Sequence, residues 1–97
     1  MIKPTVGRVV WYRPNAHDDL YGSDQPLAAH VAYVWSDTMV NLMVIDHNGG
    51  THPRTSVVLR HGESSPPGGQ SYCEWMPYQK GQAAKAEALE QKLGAGA

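Results

Sequence analysis

Arginine and the indole and phenol rings are the side chains of this sequence best suited to chemistry. There is no Phe, yet there are three Trp and five Tyr: Trp11, Trp35, Trp75, Tyr12, Tyr21, Tyr33, Tyr72 and Tyr78. Such rings join an apolar body to a hydrogen-bonding tip, which suits a ligand cleft or an interface as well as a core. Several stand beside arginine, with Arg8 ahead of Trp11 and Tyr12 and Arg13 just after them. His52-Pro53-Arg54-Thr55-Ser56 adds a guanidinium and two hydroxyls within five residues. A guanidinium pairs with phosphate in two-pronged fashion, and an aromatic face stacks on a base for about 1–3 kcal/mol. These residues predict a site for a nucleotide-type ligand. Trp75, Tyr78 and Trp11 would stack, Arg8 and Arg54 would hold phosphate, and Thr55 and Ser56 would donate hydroxyls. The same inventory fits a small β domain whose rings fill its core and whose Arg54 is a solvated edge residue, and both readings stay open here.

Other chemistries have weaker footing. The five histidines, His17, His30, His47, His52 and His61, show no helical His-x-x-x-His spacing, and Cys73 has no cysteine partner, so no metal or cofactor is expected. His17-Asp18-Asp19 reads as a solvated turn without apolar neighbours to shift its carboxyls, and Asp46, His47 and His52 bracket another turn. Cys73 lies mid-strand, where a cysteine is usually a small buried hydrophobe. Gly49-Gly50 belongs to a turn and Gly68-Gly69 follows two prolines, so neither forms a phosphate-cradling loop. A binding protein is expected, not an enzyme.

Composition bounds the rest. Ninety-seven residues make one domain, and 41 % hydrophobic with 18 % charged residues excludes a disordered acidic chain. A formal charge of −1 argues against gripping a nucleic-acid backbone. No apolar run reaches about 18 residues, so no membrane span is expected. The start Met1-Ile2-Lys3-Pro4-Thr5 lacks a secretory apolar stretch, and a single cysteine fits a reducing cytosol, which predicts a cytoplasmic protein.

Five β-rich runs could position these residues: 6–12, 27–35, 39–46, 51–59 and 71–75. Their β-branched and aromatic side chains suit a pleated surface. Asn48-Gly49 predicts a two-residue hairpin turn with both central residues at positive φ. Pro53 argues for an edge at the start of the fourth strand, and residues 15–26 and 60–70 carry loop chemistry. From Gln79 strong helix formers predict a C-terminal helix over 79–93, with Gly94 as its cap and 94–97 as a disordered tail. That helix is expected to fold back over Trp75-Met76-Pro77-Tyr78. Residues 1–78 are thus predicted to form a mainly β domain, a small SH3-like or partly open antiparallel five-stranded barrel. A curved sheet completed by a second copy is the alternative.

Residues 3–10, 25–29, 34–37, 40–42, 54–57 and the run Cys73-Glu74-Trp75-Met76-Pro77-Tyr78-Gln79 resemble a group of short phage and prophage proteins. The likeness spans nearly the whole chain outside the loops 15–24 and 62–69 and the last residues. It implies a virus-encoded accessory protein in the bacterial host cytoplasm. Small phage proteins of this kind often act against host defence, and the sponge class sequesters nucleotide immune messengers, usually as homo-oligomers. The resemblance thus implies capture of a cyclic nucleotide or an ADP-ribose derivative, with an SH3-like protein–protein adaptor as the alternative.

Overall fold

The structure, a computed structural model, describes residues 2–22, 24–62 and 69–95. Five strands, β1 (Val9–Arg13), β2 (Leu27–Ser36), β3 (Met39–Ile45), β4 (Thr51–Arg60) and β5 (Tyr72–Glu74), are followed by helix α1 (Pro77–Ala95). They close into a barrel in the order β1-β2-β3-β4-β5, a small SH3-like barrel with a C-terminal helix. Closure pairs β1 with β5 antiparallel, Trp11 opposite Glu74, so one chain completes the sheet without a second copy. One pairing departs from the all-antiparallel expectation: β4 and β5 run parallel, Val58 opposite Tyr72. Eleven residues, 61–71, join them in a connection close to the shortest that parallel neighbours allow. Its residues 63–68, most of the expected loop 60–70, lie outside the described residues.

Alternation builds the core. Val10 and Tyr12 of β1, Leu27, Ala29 and Val31 of β2, Val40, Leu42 and Val44 of β3, Val57 and Leu59 of β4, Cys73 and Trp75 all point inward and are buried. Cys73 is fully buried, and burial pushes its thiol pKa up to about 12, so it is the inert hydrophobe its place in the strand predicts. The first strand begins at Val9 instead of residue 6. Gly7 adopts φ +93°, a conformation closed to most side chains, and turns residues 6–8 out of the ladder. Its N–H still donates to Val31 O at 2.8 Å, which holds the N-terminal segment against β2.

The β3–β4 turn also differs from expectation. Gly49 has positive φ but Asn48 does not, and the turn closes with Gly49 N–H donating to Asp46 O at 2.9 Å. A three-residue loop with a left-handed glycine replaces the two-residue turn. The Asp46 side chain selects it: Oδ1 accepts from the N–H groups of Asn48 (2.9 Å) and Gly50 (2.8 Å), and Oδ2 lies 2.8 Å from His52 Nε2. A Cβ on Gly50 would sit 2.6 Å from Asp46 Oδ2. Gly50→Ala is therefore expected to lower the thermal midpoint by a few degrees, and by much less in an Asp46→Ala background. Thermal melts of the two single variants and the double variant check that coupling. Pro53 lies where β4 has β3 alone as neighbour, as its missing N–H requires.

Helix α1 starts at Pro77, two residues before the expected Gln79, because proline is pre-shaped for a first helical turn. It continues through Gly94 and Ala95, expected as cap and tail, and residues 96–97 lie outside the described residues. The helix does not fold back over the barrel. Of residues 81–91 only Ala83 is half-buried, and the molecule is 52 Å long but only 25 × 24 Å across. A 19-residue helix is about 28 Å long, so α1 accounts for the elongation. Gln79 fixes its root: Nε2 donates to Val9 O and Oε1 accepts from Met76 N–H, both at 2.8 Å.

Candidate functional site

β1 begins and β5 ends at the same mouth of the barrel, because those strands pair antiparallel. The segment before β1 and the helix after β5 therefore meet there. Between them lies an open cleft of about 610 Å³, lined by Lys3, Arg8 and Tyr78, by Gln79 and Gln82, and by Glu87 among others. A smaller hollow of about 190 Å³ adjoins it, sharing Ile2, Ala83 and Glu87 and adding Trp75 and Lys80. Among the described residues, Lys3, Arg8 and Lys80 line the walls of the two hollows together with the Glu87 carboxylate. The larger volume lies in the range of small-molecule and cofactor sites.

Trp75 anchors this corner. It is 2 % exposed, and its Nε1–H has no acceptor among the described residues. A buried donor without a partner costs about 1–3 kcal/mol. The Arg8 guanidinium stands 5.9 Å from the Trp75 ring centroid, and its Nε donates to Thr5 Oγ1 at 3.2 Å. That contact holds the cation over an aromatic face while leaving the residue exposed. Tyr78, 74 % exposed, offers an open ring on the first turn of α1. A cation placed on a ring, a free phenol ring and flanking lysines can receive an anion attached to a flat aromatic body.

The other expected residues lie elsewhere. Arg54 sits six residues along β4 from Arg60, whose Nη1 reaches Glu74 beside Trp75 at 3.3 Å; that is roughly 20 Å of strand at about 3.3 Å per residue. It is already engaged. Nη2 donates to Asp18 Oδ1 (2.8 Å) and Asp19 Oδ1 (2.6 Å), Nε to Asp18 Oδ2 (3.1 Å), and Nη1 to Pro53 O (2.8 Å). Arg54 is thus neither a phosphate ligand in waiting nor a solvated edge residue. Asp18, expected in a solvated turn, has a side chain only 7 % exposed. The Arg54 guanidinium holds its carboxyl far below the usual range, and the Tyr12 hydroxyl donates to the same carboxylate. Burial, and then Asp18, push the Tyr12 hydroxyl pKa up. This network ties the loop after β1 to the barrel.

Thr55 and Ser56 are exposed at a break in the β3–β4 register, away from the cleft. Ser56 has φ +53°, and its N–H donates to Asn41 Oδ1 at 2.8 Å. Trp11 is half-buried on the outer face of β1, where Arg13 lies 5.6 Å from its ring centroid. Arg13 Nε in turn donates to Glu74 Oε2 at 2.8 Å. Of the seven expected residues the fold gathers Arg8, Trp75 and Tyr78, with Trp75 as a covered floor instead of an open stacking face. Lys3, Lys80 and Gln82 join them, though no spacing links residue 3 to residue 80; closure of the barrel does. Among the described residues no three His, Cys, Asp or Glu side chains cluster as for a metal, and no helix is long and apolar enough to cross a membrane.

Known proteins add nothing to this geometry. No family model, no curated protein and no solved structure matches the chain.

Proposed function

We propose that this protein is a non-enzymatic binding protein that captures a nucleotide-type ligand in the cleft between residues 2–8 and helix α1. The observation that carries the reading is the Arg8 guanidinium poised over Trp75 at the edge of a cleft about 610 Å³ in volume, with the Tyr78 ring open beside it. The ligand's phosphate would pair with Arg8 and Lys3 and its base would lie on Tyr78. Trp75 would set the floor, and Gln82 would offer an amide to a polar base edge. Sequestration works by occupancy and not by turnover, so it needs tight, slowly released binding and no acid–base machinery. The phage-protein resemblance of the sequence suggests the biological form of this reading: removal of a cyclic nucleotide or ADP-ribose-derived signal in an infected bacterium.

Calorimetry of the whole chain against cyclic mononucleotides, cyclic dinucleotides and cyclic ADP-ribose isomers tests it. One member of the panel is expected to bind at micromolar concentration or tighter. Arg8→Ala is expected to weaken that binding by about tenfold or more, since hydrogen bonds to charged groups contribute about 1.5–3 kcal/mol. Arg54→Lys, outside the cleft, is expected to leave it unchanged. No heat with any member retires the reading. The exposed helix favours a second one, an adaptor that presents α1 to another protein, and then capture from lysate retains a protein and no nucleotide.

A further inference from the structure

We infer that the smaller hollow beside Lys80 is a second anion subsite, so that the ligand is a nucleotide with two anionic groups held apart by its sugar. A nucleoside 3′,5′-bisphosphate and the first residue of a 5′-phosphorylated dinucleotide share that chemistry. The inference rests on the cleft as the nucleotide site and adds what the ligand carries beyond one phosphate and one base.

The two hollows are compartments of one site. Both are walled by Ile2 of the N-terminal segment and by Ala83 and Glu87 of α1. Helical spacing divides them. Lys80, Ala83, Ala84 and Glu87 recur at steps of three and four residues, so they share one face of α1 and line the smaller hollow. Tyr78, Gln79, Gln82 and Ala86 lie on the adjoining face and line the larger one. Opposite the helix, Arg8 lines only the larger hollow and stands 5.9 Å from the ring centroid of Trp75, which lines only the smaller. The indole therefore lies between them. At about 190 Å³ the smaller hollow falls below the range of whole small-molecule sites and fits a fragment of a ligand seated next to it.

Each compartment has a cation of its own. Lys3 and Arg8 border the larger hollow and Lys80 the smaller, and Lys80 is half-buried where its helix neighbours Gly81 and Gln82 are exposed. A partly desolvated ammonium attracts an anion more strongly than one in open water. Trp75, whose buried Nε1–H has no acceptor among the described residues, closes the same hollow. The Glu87 carboxylate sets the spacing. It borders both hollows, so it repels an anion at their junction and accepts hydroxyl donors there, as a sugar supplies. Lys80 stands seven residues before it, about 10 Å along the helix axis. The second anion thus belongs at the Lys80 end and the sugar at the junction. A pyrophosphate, whose charges are adjacent, does not match that spacing.

Calorimetry of the whole chain tests this with adenosine 5′-monophosphate, adenosine 5′-diphosphate, adenosine 3′,5′-bisphosphate, a 5′-phosphorylated adenylyl dinucleotide and the guanosine counterpart of each. The bisphosphate or the dinucleotide is expected to bind at least about tenfold tighter than the monophosphate and the diphosphate, and the tighter of the two identifies the source of the second anion. In Lys80→Gln that advantage is expected to vanish. Lys85→Gln, on a side of α1 that borders neither hollow, should retain it. A monophosphate or diphosphate that binds as tightly as both of the others overturns the inference, and so does an advantage that survives Lys80→Gln; either result leaves the cleft as a nucleotide site. Absence of binding by every compound removes that reading too.

Discussion

Trp75→Ala is expected to lower the unfolding free energy by about 3–5 kcal/mol, the usual cost of emptying a large aromatic site in a core. The indole is nearly sealed, lies against Cys73 and Glu74 in sequence, and closes the mouth where β1, β5 and α1 meet. An alanine methyl cannot span that space. At about 4–8 °C per kcal/mol for a domain of this size, the thermal midpoint should fall by more than 10 °C. Trp75→Phe should cost far less, because the smaller ring also removes the indole N–H that is buried without an acceptor among the described residues. Urea titrations with an unchanged m-value measure both. Near-equal losses for the two variants would mean that the N–H and the volume are not the quantities that matter. Because Arg8 rests over the ring, Trp75→Ala should also abolish ligand capture in protein that remains folded, whereas Trp75→Phe should largely preserve it.

Asp18→Ala follows closely in size, at about 2–4 kcal/mol. Its carboxylate is the common acceptor for Arg54 and Tyr12, and removing it leaves a guanidinium only 22 % exposed with the exposed Asp19 as its remaining carboxylate partner. Breaking one side of a largely buried pair costs more than the pair contributes, because the other charge stays desolvated. The pH dependence has a definite sign. The folded-state pKa of Asp18 is depressed, so its contribution is present above the unfolded value of about 3.9 and is lost as pH falls through the lower folded value. Asp46, held down chiefly by His52 and then by the N–H groups of Gly50 and Asn48, acts in the same direction. Wild-type stability should therefore decline steeply below about pH 4. Asp18→Asn should be less stable at neutral pH and lose less on acidification. An acid limb as steep in Asp18→Asn as in the wild type would remove Asp18 as its source.

Asp18 also marks a limit of local reading. The tripeptide His17-Asp18-Asp19 has the composition of a solvated turn, and the arginine nearest to it in the chain, Arg13, pairs instead with Glu74. The partner of Asp18, Arg54, comes from β4 and reaches it only because the barrel closes and the loop after β1 packs against it. The same event explains why Arg54 is absent from the cleft. Short-range chemistry proposes types of residue, and long-range pairing decides which of them are already satisfied.

The strands and the helix were legible along the chain because alternation, turn residues and helix formers act over a few neighbours. Pro53 at an edge, Cys73 in the core and a mainly β barrel with one C-terminal helix all follow from that local physics. Gly7 moved the start of β1, and the Asp46 carboxylate chose the turn, through single contacts that composition does not encode. The parallel β4–β5 pairing, the projecting helix and the meeting of Lys3, Arg8, Trp75 and Tyr78 were decided by tertiary structure alone. Each depends on which strand ends are brought together when the sheet closes. That is set by the fit of the whole core, and no stretch of sequence contains it.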